Sequence, residues 1–161
     1  MMNIYIFLNN HNIAYESFDH PAVFTCEQAE KFCPKMPGKS IKNIFLYDKK
    51  TNQHFLIIVS TEKQIDLKKL KTILGASKLS FASEEDLQLY LGVTPGSVTI
   101  LGLINDTTHT VTVIFDEILK DQTLQCHPLI NTKTVTIPFD EIKKFLKITQ
   151  HAYQFFDIPK R

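Results

Sequence analysis

Most candidate functional residues of this sequence are of types that bind and orient a ligand and not of types that act as nucleophiles. A lysine and an asparagine stand side by side at Lys42 and Asn43, where an apolar stretch begins. The lysine ammonium is a compact charge with three donors, and the asparagine carboxamide both donates and accepts hydrogen bonds. Such a pair can hold and orient oxygen atoms of a ligand. Further polar segments lie at residues 20–25, 91–99, 102–106 and 126–132.

The usual catalytic signatures are missing from the chain. It contains no GxSxG, Walker, GxGxxG or HExxH motif. Its 6 histidines show no i, i+4 pair, and its 3 cysteines show no CxxC or zinc-finger spacing. Cys126 and His127 are neighbours, but adjacent residues of a strand point to opposite faces, which makes them a poor nucleophile–base pair. The sequence therefore favours neither a metal centre nor covalent catalysis.

The elements that must position these segments follow from hydrophobic periodicity and from turn residues. Apolar runs at 41–47 and 54–60, joined by a polar turn, predict a hairpin. Asp66 and Gly75 are typical helix ends, and Thr94-Pro95-Gly96 predicts a type II turn. Other helices are expected at 3–11, from Thr25 to Phe32, from Ser83 to Gly92 and after Pro138, other strands at 13–18, 111–115 and 135–137, and a buried helical stripe at Leu67, Leu70, Ile73 and Leu74.

This irregular succession of helices and strands predicts a mixed α+β fold, with a curved or barrel-like β-sheet and helices packed around it. The chain has 161 residues, of which 43% are hydrophobic and 22% charged, so we expect a single domain over residues 1–161. The pattern leaves the order of a C-terminal tail at 149–161 open. The net charge of +1 argues against wrapping long duplex nucleic acid, but it is compatible with gripping one nucleotide end.

Targeting signals are also missing. No run approaches the ~18 consecutive apolar residues of a transmembrane helix. The N-terminus lacks the basic region and the small-residue cleavage site of a signal peptide. We therefore expect a cytoplasmic protein that does not enter a membrane.

Taken together, the polar segments resemble those of the freestanding prolyl-tRNA editing proteins, the prolyl-tRNA deacylase family. This family is related to the editing insertion of bacterial prolyl-tRNA synthetases and to the YbaK-type Cys-tRNA deacylases. The similarity runs from about Ile4 to Leu146, and several blocks in order are far more specific than a lone motif. The blocks are HPAVFT at 20–25, KNIFLYDKK at 42–50, DLKKL at 66–70, LGASKLSFASEEDL at 74–87, LGVTPGSVT at 91–99, GLIND at 102–106 and HPLINT at 127–132.

The resemblance implies a mixed α+β editing domain that hydrolyses the ester between a wrong amino acid and its tRNA. The implied substrate is alanine misattached to proline tRNA, with Pro-tRNA spared. No metal or organic cofactor is implied. The implied partners are the single-stranded acceptor end of the mischarged tRNA and, as a further candidate, prolyl-tRNA synthetase.

The resemblance also implies the site residues. Lys42 and Asn43 contact the substrate, a Gly-x-x-x-Pro loop mapping onto 96–100 holds its reacting end, and His127 shapes the aminoacyl pocket. We expect catalytic positions at Lys42, Asn43, Gly96, Ser97, Val98 and Thr99. We expect substrate-binding positions at His20, Phe24, Thr25, Ile44, Gly102, Asn105, Asp106 and His127, with Phe24, Ile44, Val98 and His127 as the pocket walls.

One position departs from the family pattern, because residue 100 is isoleucine where proline is usual. Proline would restrict the preceding residue to extended conformations. Ile100 leaves Thr99 freer, which predicts altered rather than absent activity. Three alternatives stay open: a Cys-tRNA or broader small-residue deacylase, a catalytically idle homologue that binds tRNA or the synthetase, and an α+β protein of unrelated function.

Overall fold

The computed structural model describes residues 3–20, 36–129 and 132–161. Its centre is an eight-stranded mixed sheet in the order β1-β7-β6-β2-β3-β5-β8, with β4 paired to β2. The strands are β1 (Glu16–Asp19), β2 (Lys39–Asp48), β3 (Gln53–Ser60), β4 (Leu79–Phe81), β5 (Val111–Asp116), β6 (Thr123–Cys126), β7 (Lys133–Pro138) and β8 (Tyr153–Phe156). The predicted α+β class is confirmed. The helix expected from Thr25 to Phe32 lies outside the described residues.

Helices cover both faces of this sheet. They are α1 (Ile4–Asn10), α2 (Leu67–Leu74), α3 (Glu84–Asp86), which runs on into a π-helical turn (Leu87–Leu91), and α4 (Phe139–Thr149). Short 3-10 turns occupy Pro95–Ser97, Ile100–Asn105 and Glu117–Leu119. No helix in the described part of the chain is long and apolar enough to cross a membrane.

Local signals in the sequence fix most of these boundaries. The β2–β3 hairpin forms as predicted, with Ile41 opposite Ser60 and Asp48 opposite Gln53. Helix α2 begins at an Asp66 carboxylate that accepts from the Lys69 N–H, and it ends at Gly75 with φ 68°. A positive φ of this kind is adopted at low cost by glycine.

Two local predictions were wrong. Ile73 was placed on the buried stripe of α2, but it is 41% exposed, because this two-turn helix buries Leu70 fully and its other apolar residues only in part. The segment Thr94-Pro95-Gly96 was expected to form a type II turn, but it forms a 3-10 turn closed by the Ser97 N–H on the Thr94 carbonyl. Gly96 has no positive φ. Proline at the first turn position fits both conformations, so it did not distinguish them.

The outer edge of β2 is interrupted. Its other edge pairs with β3 from Ile41 to Asp48. The outer edge pairs with β6 at Lys39 and Ser40 and with β4 from Leu46 to Asp48. Between these pairings, no strand among the described residues covers positions 41–45. The sheet therefore has a gap in its middle, bordered by two short strands.

Apolar clusters pack on the two faces of the sheet. The larger one includes α1, α4 and the segment 87–104, and the smaller one joins β2, β3 and β5 to α2 and the C-terminal tail. The tail is docked: β8 pairs in parallel with β5, and Ile158 is buried. The Pro159 carbonyl accepts from the Asp66 N–H that precedes α2. The tail thus completes one side of the core.

Candidate functional site

A cleft of about 270 Å³ opens at the gap in the β2 edge. Most of its lining is apolar, with one carboxamide from Asn43 and one carboxylate from Glu84. The described lining consists of Asn43, Ile44, Phe45, Phe81, Ala82, Glu84, Leu87, Pro95 and Val98. Of the expected pocket walls, Ile44 and Val98 therefore lie in the cleft, and Phe24 lies outside the described residues, as does Thr25.

Backbone groups of β2 also face the cleft. The Phe45 carbonyl accepts from the Ala82 N–H, so the polar backbone atoms of Phe45 point to the outer edge. Because this direction alternates along a strand, those of Asn43 point the same way. The gap thus presents a backbone N–H and carbonyl beside the Asn43 carboxamide. A backbone N–H in this position can donate a hydrogen bond to a ligand oxygen and so stabilise negative charge that develops on that oxygen.

The Asn43 side chain joins β2 to the loop across the cleft. Its Oδ1 accepts a hydrogen bond from the Ile100 N–H at 3.2 Å. A proline at position 100 has no N–H and would make no such bond. Ile100 is fully buried, so its side chain also anchors the loop in the core. The residue that departs from the family pattern is thus fixed by two contacts of its own.

Thr99 fixes the other end of the same loop. Its hydroxyl donates to the His127 carbonyl at 2.7 Å and accepts from the Leu101 N–H at 3.3 Å. The side chain is fully buried. These bonds hold the Pro95–Ser97 turn and Val98 at the cleft. The structure therefore brings Asn43, the 96–99 loop and the backbone of His127 together.

His127 was expected as a pocket wall, but it is not among the described residues that line the cleft, and it reaches the loop through its backbone carbonyl. Burial lowers the pKa of its imidazole, a backbone hydrogen bond with Lys133 opposes that effect, and the nearby His20 adds to it. The ring is thus neutral at neutral pH. Its Nδ1 is buried and finds no partner among the described residues. His20 is also buried, with Nε2 2.8 Å from the Thr134 hydroxyl.

Three other expected positions make contacts within the protein. A Cβ on Gly102 would lie 2.7 Å from the Leu91 carbonyl, so glycine lets the 3-10 turn approach the π-helical turn. The Asn105 amide donates to the same carbonyl at 3.0 Å. Asp106 is buried and bonds to His151 at 2.9 Å and to the Val111 N–H at 2.9 Å. Burial would raise the pKa of Asp106, but these hydrogen bonds hold it below its ordinary value.

Helix α3 is positioned by a buried histidine behind the cleft. His54 Nε2 lies 3.0 Å from an Asp86 oxygen, and the His54 ring stacks on those of Phe45 and Tyr47. Asp86 in turn donates its backbone N–H to the Ser83 hydroxyl that caps the helix. These contacts set where Glu84 and Leu87 meet the cleft.

Several cleft residues were not identified from the sequence, namely Phe45, Phe81, Ala82, Glu84, Leu87 and Pro95. The sequence carried only part of the information needed to find them. The pattern near residues 81–87 predicts where a helix begins, but it does not show that this segment borders a cleft. Lys42 is half-buried on β2, next to Asn43.

Within residues 3–20, 36–129 and 132–161, no group of three His, Cys, Asp or Glu side chains could hold a metal ion.

Comparisons with known proteins identify the family and relatives of this chain. The family model described as the aminoacyl-tRNA editing domain matches residues 20–145. The prolyl-tRNA editing protein ProX of Acetoanaerobium sticklandii is 36% identical over 152 residues, which cover 94% of this chain and 93% of that protein. The prolyl-tRNA synthetase associated domain-containing protein 1 of Danio rerio is 36% identical over 149 residues, covering 91% and 80%. A crystal structure of a proposed trans-editing enzyme for prolyl tRNA synthetase superposes with a TM-score of 0.69 at 19% identity, covering 96% of this chain and 92% of that one.

Proposed function

Since the chain belongs to the aminoacyl-tRNA editing domain family, we propose that it is a trans-editing deacylase that removes alanine from proline tRNA and spares prolyl-tRNA. The observation that carries this proposal is the cleft at the β2 gap, where Asn43 is bonded to the Ile100 N–H of the facing loop. The cleft is mostly apolar, and the Asn43 backbone N–H and carbonyl border it. Such a site suits a small amino acid esterified to a ribose.

The chemistry needs no protein nucleophile. Water adds to the ester carbonyl carbon, the bond from that carbon to the ribose oxygen breaks, and the proton passes to the leaving oxygen. The products are free alanine and uncharged tRNA. Holding water, ester and the neighbouring ribose hydroxyl in register supplies part of the rate, since such arrangements contribute about 7–11 kcal/mol at best.

Each polar group at the cleft has a task in this mechanism. The backbone carbonyls of the 96–99 loop orient the water or the ribose hydroxyl. The backbone N–H of Asn43 donates to the ester carbonyl oxygen and stabilises the negative charge that develops there. Lys42 binds a phosphate or carbonyl oxygen of the acceptor end. Glu84, the carboxylate of the described lining, suits the ammonium group of the amino acid.

Selection between alanine and proline depends on shape. An extra methylene in a favourable pocket changes binding by only ~1–3 kcal/mol, so affinity alone discriminates weakly. Ile44 and Val98 both line the cleft and bring apolar bulk to it. We expect them to exclude the pyrrolidine ring, while the His127 carbonyl holds the loop through the Thr99 hydroxyl.

The test is hydrolysis of Ala-tRNA(Pro) beside Pro-tRNA(Pro) by the purified protein. We expect turnover of the first and protection of the second. Lys42→Ala should lower kcat/KM about 10- to 100-fold, because a hydrogen bond to a charged group contributes ~1.5–3 kcal/mol. Lys147 is an exposed lysine of α4, and Lys147→Ala is the matched control. Its kcat/KM should equal that of the parent protein.

The same assay separates the alternatives. Faster hydrolysis of Cys- or Ser-charged tRNA than of Ala-tRNA(Pro) would assign a different specificity to the cleft. Binding of tRNA with no turnover of any ester would assign a binding role. An unchanged rate for Lys42→Ala in a well-folded protein would contradict the role given to that lysine.

A further inference from the structure

The cleft has an exposed aromatic side chain at its mouth that the mechanism above does not use. Phe81, the last residue of β4, is 66% exposed and still forms part of the cleft lining. A single exposed apolar residue is ordinary on a protein surface. Phe81 differs because it stands beside the polar groups of a candidate site.

Strand register places Phe81 relative to Lys42. Phe81 lies opposite Leu46 in the antiparallel β2–β4 pair, and residues directly opposite share a face of the sheet. Along β2 every second residue shares that face, so Leu46, Ile44 and Lys42 follow one another on it. The Phe81 ring and the Lys42 side chain therefore lie on one face of the sheet, with Ile44 between them, and of these three Phe81 and Ile44 line the cleft.

The spacing of the two residues matches a nucleoside and its phosphate. Lys42 and Leu46 are four residues apart on one strand, which is about 13 Å at ~3.3 Å per residue. The step across to Phe81 adds ~5 Å at a right angle, giving about 14 Å between the two Cα atoms. With Lys42 on a phosphate, a base of the same nucleotide can reach the Phe81 ring.

We propose that Phe81 is a stacking platform for the terminal nucleobase of the tRNA acceptor end, and that it fixes the ribose ester in the cleft that Asn43 also lines. This inference rests on the proposed function, since it names how the same cleft holds its substrate. Stacking on an aromatic ring is tolerant of base identity and needs no hydrogen-bond partner. It therefore suits the invariant end of a tRNA.

The first experiment measures deacylation of Ala-tRNA(Pro) by ring and non-ring variants. Phe81→Leu keeps an apolar side chain without a π-face, and Phe81→Trp keeps the π-face. We expect Phe81→Leu to raise KM about 5- to 150-fold with kcat little changed, because a stacked base contributes ~1–3 kcal/mol. Phe81→Trp should stay close to the parent protein. Leu89→Ala, at an apolar residue that is also 66% exposed but outside the described lining, is the matched control.

The second experiment needs no hydrolysis. A CCA trinucleotide with 2-aminopurine as its terminal base should lose fluorescence on binding to the parent protein and to Phe81→Trp, and keep it with Phe81→Leu. Equal quenching by all three proteins together with an unchanged KM for Phe81→Leu would overturn the inference and leave the deacylase intact. Ring-dependent quenching by a protein that hydrolyses no ester would support the platform while the proposed function fails.

Discussion

At the scale of single residues, this site depends on one side chain that bridges two elements. Asn43 was expected to touch substrate, and the structure shows its Oδ1 bonded to the Ile100 N–H. Where the family pattern has proline, the loop exit is restricted by a ring. Here the same position is isoleucine, and the restriction comes from a hydrogen bond and a buried side chain. These two contacts of Ile100 thus compensate for the restriction that a proline would impose on the loop.

This exchange predicts coupling between positions 43 and 100. Ile100 begins a 3-10 turn, and Thr99 before it is extended with φ −152° and ψ 146°, so Ile100→Pro fits the backbone. In the parent protein, Asn43→Ala removes the bond to the loop; in the Ile100→Pro background there is no bond to remove. We expect a coupling of about 0.5–1.5 kcal/mol in a double-mutant cycle of unfolding free energies.

The cycle has a built-in comparison. Asn43→Ala combined with Ile118→Ala, at an exposed residue of the Glu117–Leu119 turn, should be additive within about 0.3–0.5 kcal/mol. Additivity of Asn43→Ala with Ile100→Pro as well would show that the 3.2 Å contact does not hold the loop.

At the scale of elements, the cleft exists because short segments meet where a long strand lacks a neighbour. The π-helical turn Leu87–Leu91 and the 3-10 turn Ile100–Asn105 pack closely, and Leu87 carries that packing to the cleft. Gly102 sets the approach, since a Cβ there would meet the Leu91 carbonyl at 2.7 Å and the Leu91 Cβ at 3.0 Å. A glycine predicted to bind substrate thus acts on the site through backbone packing.

Gly102→Ala should therefore affect both stability and substrate binding. Forcing a methyl against a backbone carbonyl costs about 1–3 kcal/mol, with Tm falling roughly 2–4 °C per kcal/mol for a chain of this size. The displaced turn should also raise KM for Ala-tRNA(Pro). Gly75→Ala is the matched control, because nothing lies within 4 Å of its Cβ and its cost is backbone strain at φ 68°. It should lower Tm and leave KM unchanged; a parental KM for Gly102→Ala would contradict this account.

The elements could be predicted where their signals are local. Asp66 and Gly75 bound α2, and the polar turn after Tyr47 joins β2 to β3, because caps and turns are written within a few residues. The β2 gap could not be predicted, since it needs two short strands, β4 and β6, to stop on either side of positions 41–45. Phe81 was missed for the same reason.

The candidate site was predicted in part. The Lys42-Asn43 pair and the 96–99 loop were predicted as site residues because the sequence blocks that contain them follow one another as in the family. The structure brings Asn43 and the loop together. Asp106 shows the limit of that reasoning. Its acidic side chain in a polar block suggested contact with substrate, but a buried His151, 45 positions along the chain, takes its carboxylate.

At the scale of the whole molecule, charge and size limit how much tRNA the protein can hold. The chain carries 18 Lys and Arg against 17 Asp and Glu. Its tail contributes to stability, since β8 and Ile158 complete the core beside α2. Lys63 reinforces this side, with its ammonium 2.6 Å from both Asp116 and the Ile158 carbonyl. No surplus of positive charge is left to cover a long stretch of phosphates.

This balance predicts a shallow salt dependence for tRNA binding. Each phosphate neutralised on a single strand contributes about −0.7 to the slope of log K against log salt. If Lys42 and one or two further lysines grip the acceptor end, the slope should be about −1.4 to −2. Lys42→Ala should make it shallower by roughly one phosphate contact, while Lys147→Ala should not. Titrating uncharged proline tRNA from low to moderate salt measures the slope, and a value as steep as −5 would mean that the protein grips the acceptor stem as well as its end.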